Sequence, residues 1–293
     1  MEGIDRENLE ERIASALAED IGDGDVTVQS VTEYDEHSQA EIIAKQDGIV
    51  AGLEVAKMVF GHSGPPLDTV KKVEDGDRVS SGQQLMTIEG SGNTILRSER
   101  TALNLLGRMS GIATLTGQFV DAVQGTDTKI LDTRKTTPLW RDLEKYAVRT
   151  GGGVNHRMGL YDMILIKENH IRWAGGLKKA VSNALNFRSA NRSVNIEVEV
   201  QTLDELREIV DTGIERVLLD NMPVDEIKEA VNMAQGKVQL EVSGGVTLET
   251  VREYAETGVD FISVGALTHS APAFDISLLF REENLPPGEL AAK

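Results

Sequence analysis

Cysteine is absent from this chain, so it has no disulfide and no thiolate chemistry. That composition fits a reducing cytoplasm. No apolar run approaches the ~20 residues that span a bilayer, and the N-terminus reads as a charged helix rather than a signal peptide. Positive charge is also scarce, with 30 Lys and Arg against 48 Asp and Glu, a formal net charge of -18. Nucleic acids and anionic membranes would be repelled by such a surface, so neither is expected as a partner. The acidity in itself serves solubility. What is present is ordinary for a globular protein: 40% hydrophobic residues over 293 positions, enough for one large domain or a large and a small one.

Leu9, Ile13, Leu17 and Ile21 recur at helical spacing, and Gly22-Asp23-Gly24-Asp25 ends that helix. Strand-like runs follow at Ala40–Ala44, Ile49–Ala51 and Leu85–Ile88. Between the last two, Asp75-Gly76-Asp77-Arg78-Val79-Ser80-Ser81-Gly82 resembles the hairpin of biotinyl and lipoyl carrier domains. No lysine follows at the turn after Ile88, so the segment reads as half of a structural β-sandwich. From Ser98 to about Val123 the pattern is helical, with Leu103, Leu106, Ile112 and Phe119 apolar. Gly107, Ser110, Gly111 and Gly117 are small enough to admit another backbone.

A strand-helix alternation then sets in, with strands at Lys129–Asp132, Met163–Lys167, Asn195–Val200, Val217–Asp220, Gln239–Ser243 and Phe261–Gly265. Alternation of this kind implies a parallel sheet. Polar residues or glycines at the strands' C-terminal ends imply a barrel with its site at that face. Six strands fall short of eight, so the expected fold is α/β, with an N-terminal α/β sandwich and an open, incomplete barrel. An open doubly wound sheet is the alternative. The expected domains are residues 1–108, 109–270, and a tail 271–293 packing back on the first.

Several candidate residues follow these strands. Arg134 and Lys135 come directly after the first of them. Arg134 suits a carboxylate or phosphate gripped by two hydrogen bonds, and Lys135 a point charge. Arg157 follows the turn Gly151-Gly152-Gly153, with His156 beside it to orient a substrate or bridge to a carboxylate. Lys167 ends an apolar strand, where it either clamps an anion or forms a Schiff base. Glu197 and Glu199 share one face of their strand. With Asp220 they either hold Mg²⁺, bind ribose hydroxyls, or neutralise the cations as structural ion pairs. Ser243-Gly244-Gly245 and Gly265-Ala266 are turns of the kind that build a phosphate site from backbone amides. Cations gathered at strand ends of an acidic chain point to a small, multiply anionic substrate.

Together these blocks resemble quinolinate phosphoribosyltransferase, the nicotinate-nucleotide pyrophosphorylase (carboxylating) family. The resemblance also runs through Glu19–Thr27, Ser98–Leu106, Asp132–Pro138, Glu144–Arg149, Leu165–Ile171, Leu219–Met222 and Gly265–Ser270. It implies transfer of phosphoribosyl from phosphoribosyl pyrophosphate to quinolinate with Mg²⁺ and no organic cofactor, giving nicotinate mononucleotide, pyrophosphate and CO₂. It implies catalytic roles for Lys135, Lys167, Glu199 and Asp220, and substrate contacts from Thr133, Arg134, His156 and Arg157. The resemblance likewise places Glu199 and Asp220 near ribose and metal, and Ser243–Gly245 and Val264–Ala266 around the 5'-phosphate. A homo-oligomer built from dimers is implied, with Arg100 acting across the interface. One departure stands out: where the family often has glycine after the proline, this chain has Pro138-Leu139-Trp140-Arg141. Rival readings are a nicotinate-using or molybdenum-associated homologue, a Schiff-base aldolase using Lys167, and a non-catalytic phosphometabolite-binding barrel.

Overall fold

The computed structural model describes residues 3–31, 34–190 and 194–281; the last part of the expected tail lies outside them. In chain order the strands are β1 (His37–Ala44), β2 (Gly48–Ile49), β3 (Asp68–Lys71), β4 (Arg78–Val79), β5 (Gln84–Ser91) and β6 (Lys129–Leu131). They continue with β7 (Met163–Ile166), β8 (Asn195–Val200), β9 (Arg216–Asp220), β10 (Gln239–Ser243), β11 (Phe261–Ser263) and β12 (Ile276–Phe280). The chain divides into two units. One comprises Met1–Thr114, Asp142–Gly151 and Ala271–Lys293; the other comprises Leu115–Arg141 and Gly152–Ser270. Among the described residues no helix is long and apolar enough to cross a membrane.

The first unit is built on an antiparallel sheet of order β12-β1-β5-β3. Alternation along β1 buries Ala40, Ile42 and Ala44 on one face, the period-2 pattern of a half-covered strand. The opening helix Arg6–Ile21 starts at Asp5, whose carboxylate accepts the Asn8 N–H, and buries Leu9, Ile13 and Leu17. The carrier-like hairpin has a structural job. Asp75 accepts the N–H groups of Gly52 and Leu53 at 2.9 and 3.0 Å, satisfying donors at the start of the helix Leu53–His62.

The helix Gly92–Ala122 begins earlier than its apolar pattern predicts, because Ser91 Oγ accepts the Thr94 N–H at 3.0 Å and serves as its cap. Its small residues meet backbone as expected: a Cβ on Gly111 would lie 2.0 Å from the Pro272 carbonyl oxygen. Ser110 Oγ accepts the Ala51 N–H at 3.0 Å. Asp142–Gly151, which the sequence boundaries put in the barrel, groups with this unit for a visible reason. Asp142 pairs with Arg12 at 2.6 Å, Glu144 with Arg108 at 2.8 Å, and Tyr146 donates to Asp75 at 2.8 Å.

The second unit is a parallel sheet of six strands in the order β6-β11-β10-β9-β8-β7. Consecutive strands β7 to β11 are neighbours, and β6 returns to pair with β11. That order has no reversal point, so it fits an open α/β barrel rather than a doubly wound sheet. β9 is apolar on both faces, with Val217, Leu218 and Leu219 all buried, whereas β10 buries Leu240 and Val242 on one face and Glu241 on the other.

Candidate active site

The C-terminal ends of the parallel strands open into a pocket of about 770 Å³. Its position follows from topology, since every strand delivers its last residues and the following loop to the same face. Thr133, Arg134, Lys135, His156, Arg157, Lys167, Asp220, Ser243, Gly244, Gly245, Val264, Gly265 and Ala266 all line it. Glu199 is brought to the pocket's edge through its ion pair with the lining residue Lys167. Arg100 belongs to the first unit, on the helix Gly92–Ala122, with its side chain 65% exposed.

Asp132, fully buried at the end of β6, organises one side of the mouth. Its carboxylate accepts the His156 N–H at 2.9 Å and the Asn155 amide, tying the loop after Gly151–Gly153 to β6. The next residues are held by their own backbone: Thr133 Oγ1 accepts the Lys135 N–H at 3.0 Å, and Thr268 Oγ1 donates to the Lys135 carbonyl at 2.8 Å. Arg134 and Lys135 are left exposed toward the opening. Arg157 Nη1 donates to the Met163 carbonyl at 3.1 Å, which anchors the guanidinium beside β7. Burial, and then the charge of Arg134, lower the Arg157 pKa from its ordinary value; both disfavour a cation that an incoming anion would stabilise.

Lys167 is 45% exposed and paired with Glu199. A charge-paired, solvated ammonium is the opposite of the desolvated amine that Schiff-base chemistry needs, so the geometry favours the anion clamp. Across the mouth, Asn221 adopts φ +56° and its N–H donates to the Ser243 carbonyl at 2.9 Å. Its side chain lies so close to Gly244 that a Cβ there would be 2.1 Å from Asn221 Oδ1, so this turn requires glycine. Gly265 opens the short helix Ala266–His269.

Glu197 and Glu199 do share a face, but at different depths: Glu197 is wholly buried, whereas the Glu199 side chain is 11% exposed. His156 turns inward as well. Its Nδ1 accepts the Arg157 N–H at 2.7 Å, and its Nε2 lies 2.9 Å from Glu197 and 3.6 Å from Glu241. Among the described residues the group with metal-ligand spacing is His156, Glu197 and Glu241, not Glu199 with Asp220.

Sequence reasoning passed over Asp132, Glu241 and His269. Asp132 opens a motif whose cations draw attention away from it. Glu241 alternates with Leu240 and Val242 and shares a face with Ser243, and that period-2 spacing could have marked it. His269, which lines the pocket, lies four residues after Gly265, one helical turn on, and that spacing could have marked it.

The departure after Pro138 acquires a geometry. The Trp140 N–H donates to the Thr137 carbonyl at 3.1 Å, and Leu139 has φ +67° and is 82% exposed. Proline followed by a positive-φ residue is the pattern of a type II turn, whose third position favours glycine. Leu139 therefore holds a glycine conformation with a Cβ in place.

Residues 112–279 match the profile "Quinolinate phosphoribosyl transferase, C-terminal domain", and residues 25–110 match its N-terminal domain. This chain belongs to the quinolinate phosphoribosyltransferase family. The family's "Quinolinate phosphoribosyltransferase [decarboxylating] 2b, mitochondrial" of Nicotiana tabacum is 44% identical over 92% of this chain and 82% of that protein. The "Probable nicotinate-nucleotide pyrophosphorylase [carboxylating]" of Bacillus subtilis is 43% identical over 89% of each. Among solved structures, the nicotinate-nucleotide pyrophosphorylase from Francisella tularensis is 40% identical, covers 95% of this chain and 98% of its own, and superposes with a TM-score of 0.90.

Proposed function

We propose that this chain transfers the phosphoribosyl group of 5-phosphoribosyl 1-pyrophosphate to quinolinate with decarboxylation, giving nicotinate mononucleotide, pyrophosphate and CO₂ for NAD biosynthesis. Family membership supports the reaction class. The observation that carries the substrate reading is the convergence of Arg134, Lys135, Arg157 and Lys167 on one pocket of a chain with net charge -18. Four cations at one mouth suit two substrates that together bring two carboxylates, a phosphate and a diphosphate.

Arg134, Lys135, Arg157 and Lys167 would draw the two anions together and hold the pyridine nitrogen against the anomeric carbon. Fixing two reactants in one geometry supplies a large part of the barrier reduction. As the C–O bond to pyrophosphate breaks, positive charge develops on the ribose. Glu199 and Asp220 face that region, and their negative charge stabilises it. Backbone amides of the Ser243–Gly245 and Val264–Ala266 loops receive the 5'-phosphate, apart from the Val264 N–H, which is donated to the Leu131 carbonyl at 2.9 Å. Once alkylated, the ring nitrogen is an electron sink, so CO₂ leaves from the adjacent carbon without an organic cofactor.

Magnesium belongs to this proposal. The described residues offer no preformed cage around Asp220, and Glu199 is engaged by Lys167. That suits an ion held by one or two carboxylates together with diphosphate oxygens and water. When bound it neutralises leaving-group charge. The exposed Arg100 is proposed to complete a neighbouring subunit's site in an oligomer built from dimers. A cytoplasmic location is proposed from the cysteine-free, acidic composition; the Nicotiana relative is mitochondrial by name.

The test is incubation of pure protein with quinolinate labelled in its 2-carboxylate, phosphoribosyl pyrophosphate and Mg²⁺. Labelled CO₂ and pyrophosphate are expected in equal amounts, and neither without Mg²⁺. Pyrophosphate from nicotinate with no CO₂ from quinolinate would replace the substrate.

A further inference from the structure

Beneath the cations the parallel strands gather ionisable groups that phosphoribosyl transfer leaves unused. Glu241 of β10 and Glu197 of β8 are both fully buried. From β9 between them, Arg216 Nη1 donates to Glu241 Oε2 at 3.0 Å, and its guanidinium lies 3.9 Å from the centre of the Phe261 ring. Atoms of His156, Glu197 and Glu241 all lie within 4.8 Å of one another. Ser263 of β11 also neighbours Glu241, and the charges of Lys167 and Arg157 reach Glu197 from the mouth.

Counting charge exposes a mismatch. Two acids face one permanent cation in direct contact. His156 Nδ1 accepts the Arg157 N–H at 2.7 Å, so its Nε2 is the ring atom turned toward the two acids. No described group offers an aligned hydrogen bond to Glu241 Oε1 or to either oxygen of Glu197. The Nε2 of His156 is near Glu197 without being aimed at it. Buried anionic oxygens without donors cost several kcal/mol. One proton on Glu241 removes the excess charge and makes it a donor to Glu197. Burial first, and then the charge of Glu197, push the Glu241 pKa up to about 7, against His156 and Arg216. Glu241 also borders the pocket; Glu197 does not.

Decarboxylation needs such a proton. When CO₂ departs, the electron pair of the broken C–C bond stays on carbon 2 of the ring, next to the alkylated nitrogen, and must be protonated. Arginine never supplies it, being protonated at every accessible pH. We propose that Glu241 is the acid that delivers this proton to carbon 2, an inference that rests on the function proposed above. The C–C bond breaks, CO₂ leaves, and the electron pair takes the Glu241 proton to form C–H. Glu241 becomes a carboxylate paired with Arg216 and regains a proton from solvent before the next turnover. The net reaction consumes one proton.

The test is a single turnover with labelled quinolinate, comparing wild type with Glu241→Gln, which keeps an oxygen for Arg216. Pyrophosphate release should persist in the variant, while CO₂ and nicotinate mononucleotide formation fall about 10²-fold. The ribosylated, still dicarboxylated intermediate should accumulate. If the variant does not fold, wild type still decides: CO₂ release should slow as pH rises through about 7, with pyrophosphate release unaffected. Equal slowing of both steps, or unchanged CO₂ release, would overturn the role. So would one equivalent of divalent metal in the purified protein lost on His156→Ala, since a metal would replace the proton. Failure of wild type to release CO₂ at all would instead sink the substrate reading.

Discussion

The mouth of the barrel and its interior carry opposite charge in opposite surroundings. At the mouth, Arg134, Lys135 and Lys167 are exposed cations. Inside, Glu197 and Glu241 are fully buried acids. Solvated cations such as Lys167 contribute little to stability through their ion pairs, so the mouth is free to be arranged for ligands. Buried acids are costly unless paired or protonated, so the interior must be arranged for itself as well. The same kind of strand thus delivers binding residues at its end and a proton-holding group one or two turns of pleat below.

The comparison breaks most sharply by removing mouth cations. Arg134→Ala and Lys167→Ala should each lower kcat/KM by about 10²–10³-fold, the range for losing one preorganised charge-stabilising donor. Thermal midpoints should barely move. A large drop in stability with modest kinetic loss would assign these cations to the fold.

Asp132 joins the two regions, and removing it should damage both. Asp132→Ala strands the His156 N–H and the Asn155 amide, and should cost about 2–4 kcal/mol in denaturant unfolding along with activity. Unchanged stability would mean that the loop holds itself.

Stability against pH sharpens the interior. Glu241 binds its proton more tightly folded than unfolded, because its pKa is raised from 4.5 to about 7. Its stabilising contribution is full below about pH 4.5 and is lost as pH rises through about 7, a fall on the order of 3 kcal/mol. In Glu241→Gln that slope should flatten. A wild-type slope of opposite sign across this window would show that Glu241 is held as an anion.

The smallest effect is at Leu139. Leu139→Gly relieves the positive φ at an exposed site and should raise stability by about 0.5–1 kcal/mol. A loss would mean that the Leu139 side chain makes a contact worth more than the strain.

Much of this was legible in the sequence because it rests on local signals. The strand-helix alternation gave all six barrel strands, and the helical spacing of Leu9, Ile13 and Leu17 gave the opening helix. The residues expected at the pocket were found from their position just after apolar runs, where topology leaves them little choice. What escaped was long-range. That Asp142–Gly151 groups with the first unit depends on Arg12, Asp75 and Arg108, distant in sequence. The meeting of Glu197, Glu241 and His156 likewise depends on strand order, which no spacing along the chain encodes. Family resemblance marked the anomaly at Leu139, and only the backbone showed it to be a turn that favours glycine.

The most direct test of a mouth built for two carboxylates is a side-by-side rate measurement with quinolinate and nicotinate as phosphoribosyl acceptors. The account predicts that quinolinate is preferred by at least about 10²-fold in kcat/KM, since losing one carboxylate strands buried or anchored charge. Equal or better turnover of nicotinate would contradict it.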